Sequence, residues 1–478
     1  VDIADVNNDG YPEIISTDML AADPYILKRS LGDDDYDVFF SKIASGYNYQ
    51  YSRNNLQFNR KNGMFSEAGL YAGIGATDWS WAPLLMDFDN DGLKDLFIAN
   101  GIPKRLNDMD YINFIYNNEM QQRLQSNDMK NKDMALINKF PEIKIPNKFY
   151  HNNNNLQFAD MENSINNNAA TYSNGAVYAD FDNDGDLDVV VNNTNDAALL
   201  YENKSAKKES KNFVIIKLTG TEINKNALGA NAVLFTGTKI ETYEKSAVKG
   251  FMSSMETPLQ IGFGKTQPDS AFLIWPDNSF ERIIIDTAVQ HISLQYRKGL
   301  PKFDYSIITS FDKNHSNAVT DITKETALNY LHKENVFNEF DREPLIPHMV
   351  STEGPALAVA DINKDGLDDV FIGASKTFHN AVFVQQPNGK FIKTMQPKLF
   401  KDSMYEDVDA AWADVNNDGN IDLIIATGGN EYYGKDEHLL PRIYLNDGKA
   451  NFTKLQNYYL LNTEEDSELR YKLLLTRR

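Results

Sequence analysis

The chain of 478 residues contains no cysteine. That absence excludes disulfide frameworks, zinc–thiolate sites, iron–sulfur clusters and cysteine nucleophiles. It leaves the compartment open, since an exported protein without cysteine needs no oxidising environment. Basic residues are outnumbered, with 47 Lys and Arg against 68 Asp and Glu, for a formal charge of −21. Without a basic stripe, nucleic acid is not an expected partner. No apolar run approaches the ~18 residues a membrane helix needs, so no transmembrane segment is expected in this stretch. Histidine is scarce, and its seven positions (His151, His291, His315, His332, His348, His379 and His438) form no ligand spacing such as His-x-Glu-x-x-His. There is no Gly-x-Ser-x-Gly elbow and no phosphate loop. Gly428-Gly429-Asn430 lacks the Lys and Ser/Thr of a phosphate cradle and reads as a turn.

What is present is a repeat. A nine-residue pattern with an oxygen-bearing residue at positions 1, 3, 5 and 9 and Gly at 6 occurs five times. The copies run Asp5, Asn7, Asp9, Gly10, Glu13; then Asp87, Asp89, Asp91, Gly92, Asp95; then Asp180, Asp182, Asp184, Gly185, Asp188; then Asp361, Asn363, Asp365, Gly366, Asp369; and last Asp414, Asn416, Asp418, Gly419, Asp422. Each lies between short apolar runs such as Trp81–Met86 and Leu96–Ala99, which are too short and too β-branched for helices. The unit is strand, tight acidic loop, strand. A second signature, an aromatic followed by Asn, a Gly or Asn turn and Phe, appears at Leu56–Phe65, Phe149–Phe158 and Ile443–Phe452, and more loosely at Phe383–Phe391. These segments read as hairpins, and two hairpins per repeat make a four-stranded propeller blade.

Successive first aspartates lie 82, 93, 181 and 53 residues apart, so there are insertions. Met109, Ile112, Ile115, Tyr116 and Met120 fall at helical intervals, which predicts a helical excursion over 107–139. The longest gap holds an alternating all-β stretch from Phe213 to about Tyr296. The expected fold is therefore all-β. Its expected parts are 1–204 with three acidic loops, a small β module at 205–298, a linker and approach at 299–350, and 351–478 with two more loops. The chain opens on Val1 inside a repeat and closes on Arg478 without a terminator, so it is expected to be part of a longer protein.

Three or four carboxylates in nine residues repel one another, and a recurring arrangement of this kind calls for a cation. Side-chain oxygens at positions 1, 3 and 5, a backbone carbonyl at 7 and a carboxylate at 9 suit Ca²⁺, which takes six to eight oxygen ligands at ~2.3–2.6 Å. Position 7 is Tyr11, Leu93, Asp186, Leu367 and Asn420, as expected where only the carbonyl is used. About five Ca²⁺ sites are predicted. An EF-hand would need a bidentate Glu at position 12, where this chain has Ser16, Ile98, Val191, Ile372 and Ile425. Magnesium dehydrates reluctantly and avoids dedicated all-protein cages.

These loops resemble the FG-GAP/VCBS repeats of integrin-α-like β-propellers. The middle module is similar to the ASPIC/UnbV domain of cartilage acidic protein 1-like proteins. Leu218-Thr-Gly220, Asn226-Ala-Leu-Gly229-Ala230, Gly250–Ser253, Leu259–Gly264 and Trp275-Pro276-Asp277 carry that likeness. It departs at Asn226, where the family has Arg, and at Asn278, where it has Gly. Asp78–Pro83, Tyr330–Asn335, Leu345–His348 and Gly354-Pro355 are similar to segments of large bacterial VCBS-repeat proteins of the Bacteroidetes type. The resemblance implies blades in two sets with the module between them. It also implies a secreted, cell-surface or outer-membrane-attached protein with calcium at the loop residues named above, and no catalytic role.

The functional expectation is a non-catalytic, calcium-stabilised extracellular scaffold that recognises a glycan or protein ligand on a propeller face. Trp79 and Trp81 could stack on a sugar or pack between blades. The alternative is a glycan-active hydrolase or lyase, which would need carboxylates or a His/Tyr cluster converging outside the acidic loops. The charge takes a new meaning on this reading. The proposed ligand side chains include 17 of the 68 acids, and five bound Ca²⁺ would take −21 to −11.

Overall fold

The computed structural model describes residues 1–456 except 33, 117, 119–120, 123–140, 206–212, 287–288 and 312–319. The chain divides into two compact units, residues 1–35 with 41–316, and residues 36–40 with those from 317 onward.

In the first unit, β1–β4 (Asp2–Ala4, Glu13–Ser16, Asn55–Asn59, Phe65–Glu67) and β5–β8 (Ser80–Met86, Asp95–Asn100, Lys148–Asn152, Phe158–Asp160) are antiparallel sheets in sequence order. A third sheet, β9–β11 (Ser173–Ala179, Asp188–Asn193, Leu199–Tyr201), has three strands among the described residues, where the repeat predicts four. Strand β6 is buried along its whole length, Asp-Leu-Phe-Ile-Ala-Asn, because it faces a neighbouring sheet on each side. Leu85, Leu96 and Ile98 pack with Val6, Ile15 and Leu56 of the first sheet. Leu84, Phe97 and Phe149 pack with Ala176, Val189 and Val191 of the third. The blades therefore have no separate cores; each is stabilised by the faces of its neighbours. Buried Arg105 clamps Asp78 through two hydrogen bonds of 2.9 and 2.6 Å at the start of the second sheet. Trp81 packs at 4.7 Å from Phe251 and donates to the Gly101 carbonyl at 2.7 Å, so its role is packing.

The module of the first unit has β12 (Phe213–Thr219), β13 (Asn231–Thr236), β14 (Lys239–Glu244), β15 (Leu259–Gly262), β16 (Ser270–Ile274), β17 (Phe280–Ile283) and β18 (His291–Gln295). They form two sheets, β15-β12-β18 and β14-β13-β16-β17. Val214, Ile216, Leu234, Ile261, Leu273 and Trp275 make the core between them. Asn278 sits at φ 66°, the left-handed turn position that Asn tolerates.

In the second unit, β19–β22 (Leu357–Ala360, Asp369–Ile372, Ala381–Gln385, Phe391–Thr394) and β23–β26 (Asp407–Ala413, Asp422–Thr427, Arg442–Asn446, Phe452–Lys454) repeat the four-stranded plan around Phe371, Val382, Ile425 and Tyr444. Buried Arg442 pairs with buried Asp407.

Helices are few. Pro24–Arg29 and Tyr36–Ala44 lie between β2 and β3, where the sequence pattern gives no signal. Of the excursion expected over 107–139, Met109–Ile115 is helical and is capped by Asp108, whose side chain accepts from the Tyr111 N–H. Residues 117, 119–120 and 123–139 of that stretch lie outside the described residues.

Candidate functional site

Each acidic loop joins the first strand of its sheet to the second. The residue before position 1 pairs with position 9 in all five: Ala4 with Glu13, Met86 with Asp95, Ala179 with Asp188, Ala360 with Asp369, and Ala413 with Asp422. Strand pairing thus fixes the distance between the first and last acids. Position 4 is left-handed in every copy, at φ 56–62° (Asn8, Asn90, Asn183, Lys364, Asn417), and the position-6 glycines lie at φ 82–96°. A side chain at position 6 would be strained there.

The hydrogen bonds repeat as closely. The position-1 carboxylate accepts from the N–H groups of positions 5 and 6, as Asp87 does from Asp91 (3.1 Å) and Gly92 (3.0 Å), and Asp414 from Asp418 (3.1 Å) and Gly419 (2.9 Å). Position 5 accepts from position 7, as Asp91 from Leu93 at 2.7 Å and Asp418 from Asn420 at 2.8 Å. Position 9 accepts from position 2, as Asp95 from Phe88 at 3.2 Å and Asp188 from Phe181 at 3.0 Å. Copies one and four follow the same scheme through Asp5, Asp9 and Glu13 and through Asp361, Asp365 and Asp369. All 25 predicted ligand residues therefore sit in five turns that share one register and one hydrogen-bond scheme.

These turns gather oxygen at an electrostatic cost. Burial, and then the nearby Asp9, push the Asp5 carboxyl up to about 7. Burial, reinforced by Asp5 and Asp9, takes Glu13 to about 8. Asp95 rises to about 7, chiefly by burial, with Asp89 adding repulsion. Burial raises Asp87, Asp180 and Asp369 as well. Asp87, Asp89 and Asp91, and likewise Asp180, Asp182 and Asp188, bring ligand oxygens within 4.8 Å of one another. At position 3 of the first copy, Asn7 Oδ1 is buried with no hydrogen-bond donor, an acceptor that a cation would satisfy. The donor set is oxygen throughout, which fits a hard divalent cation.

Two partners of the loops lie outside the nine-residue pattern. His151 on β7 places Nδ1 at 3.1 Å from Asp95 and 3.5 Å from Asp89. Its hydrogen bond to Asp95 raises its pKa to about 9, so it stands charged beside the second loop at neutral pH. An Asn at the end of the third strand, or two residues past it in the third sheet, is a clasp. The free oxygen of position 9 accepts from its N–H, as Asp95 from Asn152 (2.8 Å), Asp188 from Asn203 (2.7 Å) and Asp422 from Asn446 (2.8 Å). The Asn side chain then donates to two carbonyls, one in its own loop and one in the preceding blade. Asn152 reaches Lys94 (2.9 Å) and Val6 (2.8 Å), while Asn446 reaches Ile421 (3.0 Å) and Ile362 (2.8 Å). Asn203 does the same to Leu187 and Phe88.

In the first unit the module lies on the loops. The Ile240 N–H donates to the Asn8 carbonyl and the Gly264 N–H to the Asn90 carbonyl, both at 2.9 Å. Gln260 donates to the Gly185 carbonyl at 3.0 Å. Lys94, buried beside Asp87, Asp5 and Glu241, holds its ammonium 3.4 Å from the Tyr243 ring centre. Beside this contact a cleft of about 1090 Å³ opens between the loops and the module, lined by Lys94, Tyr178, Lys217, Tyr243, His291 and Tyr305 among others. His291 lines this cleft, His315 lies outside the described residues, and three further histidines have local partners. His332 pairs with Glu334, His348 lies 3.2 Å from Glu353, and His438 stacks on Tyr432.

Comparison with known proteins agrees with this architecture. The family model described as FG-GAP-like repeat matches residues 31–98, 133–191 and 361–425, and the model described as ASPIC and UnbV matches residues 220–300. Human integrin alpha-6 is 25% identical over 235 residues, an alignment covering 41% of this chain and 19% of integrin alpha-6, so the chain spans less than a fifth of that relative. A solved Agrocybe aegerita lectin structure, described by its specific recognition of non-reducing terminal N-acetylglucosamine, aligns over 94% of this chain and 77% of that one. Its identity is 12% and its TM-score 0.18, a likeness that carries no argument. No helix among the described residues is long and apolar enough to cross a membrane. The chain belongs to the FG-GAP-repeat proteins that carry an ASPIC/UnbV domain, with integrin-α-like blades on either side of that domain in the sequence.

Proposed function

We propose that the protein is a non-catalytic, calcium-stabilised extracellular binding scaffold. The observation that carries this reading is the fivefold recurrence of one all-oxygen turn. Its acids are held together against burial and mutual repulsion. Asp5, Asp9 and Glu13 with Asn7, and their counterparts in the other four loops, would hold Ca²⁺ together with the carbonyls of Tyr11, Leu93, Asp186, Leu367 and Asn420. Calcium would cancel the repulsion and stiffen the blade edges. For extracellular modules the corresponding Kd is ~10⁻⁴–10⁻³ M, which suits calcium outside a cell.

The cleft between loops and module supports the ligand side of the reading. Its size is that of a site for a small ligand or a chain segment. Its tyrosines offer flat apolar area beside polar atoms, and its lysines and carboxylates offer hydrogen bonds. A glycan or an extended protein segment fits that lining. Thermal unfolding with excess EGTA and with millimolar Ca²⁺ tests the calcium claim: Tm is expected to fall on chelation, and an unchanged Tm would sink it.

A further inference from the structure

We propose that metal loading of the first three acidic loops and seating of the ASPIC/UnbV module on them are a single linked equilibrium, so that calcium sets the width of the cleft the two surfaces enclose. This inference rests on the calcium reading above and adds regulation to the same site.

The module touches all three loops, the first two at two shared points and the third at Gly185, whose carbonyl accepts from Gln260 at 3.0 Å. One is the position-4 carbonyl: Asn8 accepts from Ile240 and Asn90 from Gly264, both at 2.9 Å. The other is the position-6 glycine. A Cβ on Gly10 would stand 3.1 Å from the Ile240 side chain, one on Gly92 would stand 3.4 Å from both Glu241 and the Gly262 carbonyl, and one on Gly185 would fall inside the Phe213 ring. These two positions alternate with ligand positions 3, 5 and 7, so the turn cannot loosen around its acids without moving the surface on which the module rests. Blades are coupled through the same residues. Asn8 donates to the Gly92 carbonyl at 2.9 Å, and Asn90 to the Gly185 carbonyl at 2.8 Å. Gly262 on β15 packs so closely that a methyl there would strike the Asp87 carboxylate itself.

The second unit supplies the contrast. A Cβ on Gly366 would meet nothing within 4 Å, and one on Gly419 only Lys364 Nζ at 3.9 Å. By linkage, whatever calcium adds to module seating, the module adds to calcium affinity, and couplings of this kind are typically about 5- to 150-fold. The five sites are therefore expected to split into three tighter and two weaker.

The test uses the full chain and calcium alone. Backbone amide exchange at Ile240 and Gly264 reads the seat directly, because those N–H groups donate to the loops. Both are expected to exchange about 10-fold or more slowly in millimolar Ca²⁺ than in EGTA. By calorimetry, Gly262→Ala is expected to weaken the three tighter sites about 10-fold and leave the other two unchanged. Gln260→Ala, which removes the hydrogen bonds to the Gly185 carbonyl and to Asn90 Oδ1, is expected to do the same by about 3-fold and serves if Gly262→Ala does not fold. Calcium heat with no change in exchange at either amide would overturn the linkage alone, as would a single class of five sites insensitive to both variants. No calcium heat at all would overturn the linkage and the calcium reading together.

Discussion

The loops of the first unit and those of the second share a sequence, a register and a hydrogen-bond scheme, yet they live in different surroundings. Asp87, Asn90, Gly92 and Lys94 are buried beneath the module, whereas Lys364, Asp365, Gly366, Asn417, Asp418 and Gly419 face solvent; the position-9 acid is buried in all five copies. Burial raises Asp5, Asp87 and Asp95, while Asp418 in the open fifth loop is held below the ordinary carboxylate range by hydrogen bonds, first from the Asn420 N–H. The local turn is therefore self-sufficient and needs no cover to form. What the cover adds is a second surface, a cleft, and a larger cost for leaving the acids without a cation.

Substitutions can break this comparison at graded strength. Phe213→Ala removes the ring that lies on Gly185, and it should cost the first unit about 3–5 kcal/mol while leaving the second unit's urea transition in place. Gly185→Ala combines left-handed strain with a clash against that ring and should cost about 2–4 kcal/mol. Gly366→Ala, the same change in an open loop, should cost only about 1 kcal/mol; equal losses in the two units would mean that the cover is irrelevant to loop stability. The clasps should not distinguish the units. Asn152→Ala and Asn446→Ala each strip donors from two carbonyls and should cost a similar ~1–3 kcal/mol, read from the respective urea midpoints.

The smallest effect is confined to the second unit. Glu406 is buried, with one oxygen accepting from Lys376 and the other without a donor, and burial lifts its carboxyl to about 8. A raised carboxyl favours the protonated folded state, so stability falls as pH rises from the ordinary value of 4.5 through 8. Glu406→Gln should remove that slope. It should be near neutral at pH 4.5 and stabilising by about 1–2 kcal/mol at pH 8 to 9, measured by urea unfolding across that range.

Much of the site was legible because the chemistry is local. Positions 1 to 9 lie on one turn, so spacing alone reports the donor set, and the left-handed glycine announces itself. The hairpins were legible for the same reason: Asn and Gly turns flank short β-branched runs. What spacing cannot report is contact between segments far apart in sequence. His151 meets Asp95 from another strand, and Asn152 reaches Val6 across 146 residues. Ile240 meets Asn8 with no shared periodicity. The helices at Pro24–Arg29 and Tyr36–Ala44 are too short to show a helical repeat against surrounding polar sequence. The same glycine that reads as a turn residue at Gly185 and at Gly366 is a packing surface in one and open in the other.

The central claim is that each of the five turns holds calcium, and counting bound calcium tests it most directly. Equilibrium dialysis of the chelator-stripped chain against millimolar ⁴⁵Ca²⁺ should give about five ions per chain, one for each all-oxygen loop. The count should fall by one in the double variant Asp414→Asn, Asp418→Asn, which disarms an open loop without touching the module. A count near zero, or one indifferent to that variant, would contradict the account.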